Sequence, residues 1–175
     1  MKRRPPDRRG VAAVELAFVT MLFIAPLLIG LWEMGRFVEV QQILGNSCRD
    51  GARLASQGYT VNLTGAPTQI MTSSGTTNVQ GAIYQYLIAA GLTDLTSSDV
   101  VVTLTFLDLK ADGSTATEPY QGEKGMRFTV TATIPWSKVR WVNLGLINPI
   151  SVTYTASWQM LVDDKFTVND TIPVW

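Results

Sequence analysis

One carboxylate inside an apolar run is the residue in this sequence with the clearest chemical potential. Glu15 is the single ionisable residue in the 22 residues from Val11 to Trp32. A charged side chain at the centre of a bilayer costs about 2.5–3.5 kcal/mol on insertion scales, so the presence of Glu15 in this run needs a physical explanation. One ordinary reason is that Glu15 lies near the start of the run, where a side chain can reach the interface.

A second reason comes from Gly10, which directly precedes the run. Cleavage after Gly10 would create an ammonium group on Val11, one helical turn from the carboxylate of Glu15. In a helical assembly, Glu15 of one subunit could then meet the Val11 ammonium group of its neighbour. The pair would neutralise both charges in a low-dielectric setting and fix the axial register of the subunits.

The chain lacks several of the residue types that most often catalyse reactions. It contains no histidine and one cysteine, which excludes Ser-His-Asp triads, histidine metal sites and multi-cysteine zinc sites. No glycine-rich phosphate loop is present, so we expect neither an enzyme nor a bound cofactor. Four aspartates could in principle offer oxygen ligands to calcium, but they fit a turn and a solvated strand end better. These are Asp108, Asp112, Asp163 and Asp164.

The formal net charge is zero, but the charge is segregated along the chain. Residues 1–10 carry five basic residues and one acidic residue, which leaves 9 basic and 13 acidic residues in the remainder. A nucleic-acid-binding protein needs a basic face to neutralise phosphates, so a remainder of net charge −4 argues against that class.

The apolar run is long enough to cross a membrane. As a helix, 22 residues span about 33 Å, and the hydrocarbon core of a bilayer is about 30 Å thick. A cleaved secretory signal would have a shorter apolar region and a small-x-small site, which GLWEMGRF does not supply. The basic residues before the run predict a cytoplasmic amino terminus, with the rest of the chain outside the cytoplasmic membrane.

The pattern predicts that this helix continues to about Ser56. Apolar or small residues recur at positions 37, 40, 44, 48, 51 and 55, in steps of three and four, and Gly58 fits a helix end. Pro26 should kink or loosen the helix, and Ala13 with Ala17 permits close approach of another helix. Cys48 lies on the stripe, so it is either a small buried hydrophobe or the site of an intermolecular disulfide.

The remaining chain predicts an α+β domain. Residues 58–77 are rich in Thr, Ser and Gly and suggest a loop, and a second amphipathic helix follows over 78–90. Three β-branched segments predict an antiparallel meander packed on helical faces, at 100–107, 127–135 and 150–162, with an exposed hairpin loop over 108–126. Trp136 and Trp141 could form an exposed sticky patch or cap the core.

Two motifs resemble the TadE-like pseudopilins of the tight-adherence (Tad, Flp-type) type IV pilus system. RRGVAAVELAFV, at residues 8–19, is similar to the class III signal of type IV pilins. RDGARLA, at residues 49–55, is similar to the string that follows the membrane helix in that family, although Arg49, Asp50 and Arg53 could also form only a local ion pair. Leu16 replaces the tyrosine usual in major Flp pilins, and the chain is much longer, which favours the minor TadE type.

The resemblance implies a pilin-like protein of the α+β class. Its long amino-terminal transmembrane helix would continue into an antiparallel sheet domain with a second amphipathic helix. The expected parts are a basic leader at 1–10, the helix at 11–57 and an extracytoplasmic domain at 58–175. A prepilin peptidase would cut between Gly10 and Val11, Glu15 would pair charges between subunits, and helix packing would involve Ala13, Ala17, Pro26, Gly51 and Arg53.

The implied role is structural: a minor pilin in the assembly, initiation or adhesive tip of a Tad pilus. Its partners would be other pilins, the prepilin peptidase, the pilus assembly platform and the bacterial inner membrane, with a place in the extracellular pilus also open. The alternative is a permanently anchored extracytoplasmic binding or sensor domain that is never processed. Retention of residues 1–10 in the mature protein would favour that alternative.

Overall fold

A computed structural model describes residues 9–141 and 151–161 of the 175-residue chain. Helix α1 (Arg9–Val19) passes through a π-helical turn (Thr20–Ile24) into helix α2 (Ala25–Ser56). The predicted long helix is therefore confirmed, and Gly58, with a φ of 65°, follows its end. The basic leader before Arg9, the segment 142–150 and the acidic pair Asp163–Asp164 lie outside the described residues.

The π-helical turn lies directly before Pro26. Proline has no N–H to donate to the carbonyl four residues earlier, so a regular α-helix would lose a hydrogen bond there. The turn changes the local spacing instead, and the N–H of Ala25 donates to the carbonyl oxygen of Thr20, five residues back. The loosening expected at Pro26 thus takes the form of a wider helical turn just before it.

The carboxyl-terminal half of α2 carries the folded domain. Strands β3 (Val101–Phe106), β4 (Arg127–Pro135) and β5 (Ser151–Gln159) form an antiparallel sheet in the order β3-β4-β5, which confirms the predicted meander. Helix α3 (Val79–Ala89) packs beside α2, whereas the pattern suggested that it would mainly cover the sheet. The α+β class is confirmed.

The two faces of the sheet follow the alternation in the sequence. Buried side chains of β4 and β5 point to α2, where they meet the apolar stripe of that helix. The opposite face carries hydroxyl side chains, and two cross-strand pairs join Thr131 to Thr155 and Thr133 to Thr153 at 2.9 and 3.0 Å. The core therefore lies between the sheet, α2 and α3.

Two predicted loops contain more structure than composition indicated. Within 58–77, strands β1 (Tyr59–Val61) and β2 (Pro67–Gln69) form a small hairpin, and the next residue, Ile70, is fully buried. The 108–126 connection contains a short 3₁₀ turn, and Ala116 and Met126 are buried in the core. A short helix, α4 (Trp136–Val139), follows β4.

Candidate membrane and assembly segment

The amino-terminal part of the long helix exposes its side chains. Val11, Glu15, Ala13 and Ala17 all lie on α1, and each is solvent-exposed in the isolated chain. Gly10 lies in the first turn of that helix, with nothing within 4 Å of the position a Cβ would take. Val11 and Glu15 are four residues apart and share one face of α1.

Residues Gly10–Ser56 form a helix long and apolar enough to cross a membrane, and the most apolar stretch of this helix is not buried. All large apolar side chains from Val11 to Met34 are between 38% and 79% exposed, which would be costly in water. A hydrocarbon environment removes that cost, so this segment is the single membrane anchor of the described chain.

The apolar stripe beyond the membrane is occupied by the chain itself. Val40, Leu44, Cys48, Ala52 and Ala55 have no exposed surface and belong to the core. A second subunit could pack against this stripe only if these residues were open to it. The structure instead buries them against the sheet and α3, so these five side chains are not accessible to a second chain.

Gly51 shows why this stripe needs a small residue. A Cβ at this position would lie 2.7 Å from both Cγ1 and Cδ1 of Ile83, and 3.2 Å from Cγ1 of Val79. A side chain at Gly51 would therefore require the Ile83 side chain to move. Gly51 has a helix-packing position inside the chain, in the second of the two motifs.

The arginines of the same motif face outward. Arg53 is exposed in the last turn of α2, where a positive charge favours the helix dipole. Arg49 donates to the side-chain oxygen of Asn46 and to the hydroxyl of Tyr154, at 3.2 and 2.8 Å. Among the described residues, no ion pair joins Asp50 to Arg49 or Arg53, and Arg49 instead ties α2 to β5.

Cys48 is a buried free thiol. Its Sγ donates to the carbonyl oxygen of Val130 at 3.1 Å, and burial raises the pKa of the thiol. Both features favour the interpretation of Cys48 as a small core residue.

The aspartates considered for calcium have other partners. Asp108 accepts two hydrogen bonds from the Arg127 guanidinium, at 2.7 and 3.1 Å, and these bonds lower the pKa of its carboxyl group to about 2. Asp112 accepts from the backbone and hydroxyl of Ser114 and forms a turn. Within residues 9–141 and 151–161, no group of three potential metal ligands comes together.

A cluster at the end of the apolar run was only partly visible in the sequence. Trp136 is fully buried, its ring centroid 5.4 Å from that of Phe37, whereas Trp141 is 60% exposed and lies beside Trp32. Trp136 thus caps the core, which was one of the two sequence-based interpretations, and Trp141 is exposed, which was the other.

Glu33 is only 7% exposed, and neither of its carboxyl oxygens has a hydrogen-bond partner within the described part of the chain. Its position, four residues before Phe37 on the buried face, was the available signal.

A family model described as TadE-like protein matches residues 10–53. This segment of the chain is thus similar in sequence to the TadE-like family. The match begins at Gly10 and ends at Arg53, so it contains the exposed membrane segment and the part of α2 that carries Gly51. The similarity to the TadE-like family is therefore confined to this amino-terminal segment. No curated protein and no solved structure matches the chain. The match covers about a quarter of the chain, and the sheet domain lies almost wholly outside it.

Proposed function

We propose that this protein is a minor pilin or pseudopilin of a Tad-type pilus, processed by a prepilin peptidase between Gly10 and Val11. The observation that carries the proposal is the TadE-like match over residues 10–53, which starts at the expected cleavage position. The accessible first turn of α1 supports it, since a peptidase must reach the bond after Gly10. The role is structural, in assembly, initiation or an adhesive tip.

Glu15 supplies the subunit contact in this proposal. After cleavage, the Val11 ammonium group of one subunit would meet the exposed Glu15 carboxylate of its neighbour within the apolar bundle. In such a setting the attraction is much stronger than in water, and leaving one charge without its partner is costly. The small residues Ala13 and Ala17 lie on the same exposed helix and would permit close approach, and the wider turn before Pro26 would let the helix adapt.

The folded domain would lie outside the cytoplasmic membrane, with residues 1–10 as a cytoplasmic leader. This orientation follows from the five basic residues before the span. Other pilins of the system, the prepilin peptidase and the assembly platform would be its partners, and the buried stripe leaves the membrane helix as the surface for subunit packing.

The first experiment is amino-terminal sequencing of the protein isolated from bacterial membranes, with and without the host's prepilin peptidase. We expect Val11 as the first residue when the peptidase is present, and the full leader when it is absent. A start at Met1 or Lys2 in both strains would refute processing. It would favour the alternative of a permanently anchored binding or sensor domain.

The second experiment separates the roles of Glu15. We expect Glu15→Ala to insert into the membrane normally but to reduce co-purification with partner pilins, because the Val11 ammonium group loses its counter-charge. Glu15→Gln keeps the shape without the charge and should behave like Glu15→Ala. Normal assembly of both variants would show that charge pairing is not the function of this residue.

A further inference from the structure

The folded domain reaches back to the membrane end of the helix. Trp136 contacts Phe37, and five residues later along the chain Trp141 contacts Trp32, with ring centroids 6.0 Å apart and planes at 82°. From Phe37 to Trp32 the helix covers about 7.5 Å along its axis. Residues 136–141, here the Trp141 turn, therefore descend along α2 toward the membrane span.

Arg36 attaches the Trp141 turn to the helix. Its Nε donates to the carbonyl oxygen of Val139 at 3.1 Å, and its guanidinium carbon lies 4.6 Å from the ring centroid of Trp141. It also forms an ion pair with Glu39 at 2.9 Å. These contacts hold the exposed Trp141 ring at the level of Trp32.

That level is the boundary of the bilayer. If the run from Val11 to Trp32 fills a hydrocarbon core of about 30 Å, its far end lies where hydrocarbon meets headgroups. Trp32 and Trp141 remain 62% and 60% exposed even though their rings touch, so each keeps a face for another partner. Tryptophan is enriched at this depth because its ring is apolar and its N–H is polar.

The charges beside the two rings match the same partner. Lys138 is exposed within the Trp141 turn, and Arg140 is half-buried next to it. Basic side chains at a membrane surface are attracted by lipid phosphates. The exposed apolar surface is also continuous with the span, through Leu28, Leu31 and Trp32.

We infer that the Trp141 turn is a membrane-docking surface whose partner is the phospholipid headgroup layer at the Trp32 end of the span. The folded domain is thereby held directly on the bilayer surface in a fixed orientation. Its other end, with the β1–β2 hairpin, follows the last turn of α2 and points away from the membrane. This inference needs the membrane anchor but does not depend on the proposed pilus role.

The test is a depth measurement on the full chain in phosphatidylcholine–phosphatidylglycerol vesicles, at about one chain per vesicle. A nitroxide label is placed at Lys138→Cys in a Cys48→Ala background, and its collisions with oxygen and with a water-soluble nickel reagent are compared. We expect the label within about 7 Å of the hydrocarbon boundary, the thickness of one headgroup layer. The matched control is Leu63→Cys, fully exposed on the β1–β2 hairpin, which should report water.

A second variant tests the tryptophan itself. Trp141→Ala should move the label at position 138 toward water, while the control label at position 63 stays unchanged. Trp141 is exposed, so its loss should not unfold the domain. A label at position 138 that reports water as fully as the one at position 63 would overturn the inference and would point to a protein partner for the two rings. A depth that Trp141→Ala does not alter would also overturn it.

Discussion

Because α3 packs closely against α2 at Gly51, the substitution Gly51→Ala should have two opposing effects on the free energy of unfolding. Alanine stabilises a helix interior by about 0.8–1.0 kcal/mol relative to glycine, so Gly51→Ala gains that amount. The new methyl group would lie 2.7 Å from two side-chain carbons of Ile83, and overpacking a filled core costs about 1–3 kcal/mol. We therefore expect Gly51→Ala to lower the free energy of unfolding by up to about 2 kcal/mol.

Gly35 provides the matched control, because it lies in the same helix with nothing within 4 Å of its would-be Cβ. Gly35→Ala should gain the helix propensity alone. The difference between the two alanine variants then isolates the overpacking term, about 1–3 kcal/mol. The assay is urea unfolding of the full chain in mild detergent micelles, followed by tryptophan fluorescence, since Trp136 is fully buried.

A double variant identifies the contact responsible. Ile83→Val removes the Cδ1 atom that lies 2.7 Å from the new methyl group, so Gly51→Ala should cost less in that background than in the wild type. The reasoning is refuted if Gly51→Ala is as stabilising as Gly35→Ala, or if its effect is the same with isoleucine and with valine at position 83.

Three further predictions concern buried and paired side chains. The pKa of Asp108 is lowered from 3.8 to about 2, so its stabilising effect is complete above pH 3.8 and lost as the pH falls through 2. Asp108→Asn should therefore lower the melting temperature at pH 5 but much less at pH 2. The control is Asp94→Asn, at an exposed residue that takes part in neither described ion pair. Cys48 should resist maleimide at pH 7 until urea unfolds the chain, because its thiol is buried; rapid labelling of the folded protein would contradict this. Glu33→Leu should raise the free energy of unfolding by about 1–3 kcal/mol, since it removes a buried carboxyl group without a described partner, and the exposed Glu39→Leu should not.

Periodicity predicted the elements of this fold well because each has one buried face. The stripe through Val40, Leu44 and Cys48 identified the helix beyond the span, and strand β4 was predicted at its observed bounds from strict alternation. Strand β3 was predicted one residue too long at each end, and β5 was predicted to include Met160 and Leu161, because the apolar character of the sequence extends past the last paired residue. The predicted end positions 150 and 162 of β5 lie outside the described residues.

Local pattern could not predict which helix covers the sheet. Both α2 and α3 have an apolar face, and either could pack on the strands. The contact at Gly51 resolves the question in the structure: a glycine on α2 lets Ile83 of α3 approach the helix itself. The β1–β2 hairpin was missed because its strands are three residues long and mostly exposed, so they have no alternating apolar pattern.

The site residues fall into two groups. Some lie in one continuous segment of the sequence, and others are brought into contact only by folding. Gly10, Val11 and Glu15 were identified from one continuous string, since their proposed chemistry depends on a single helical turn. Arg36 and Trp141 are 105 positions apart, and their contact exists only because the strand preceding Trp141 returns the chain to the membrane end of α2. The residues that we infer to dock the domain on the bilayer are therefore brought together only in the folded chain, even though the span beside them was evident from the sequence.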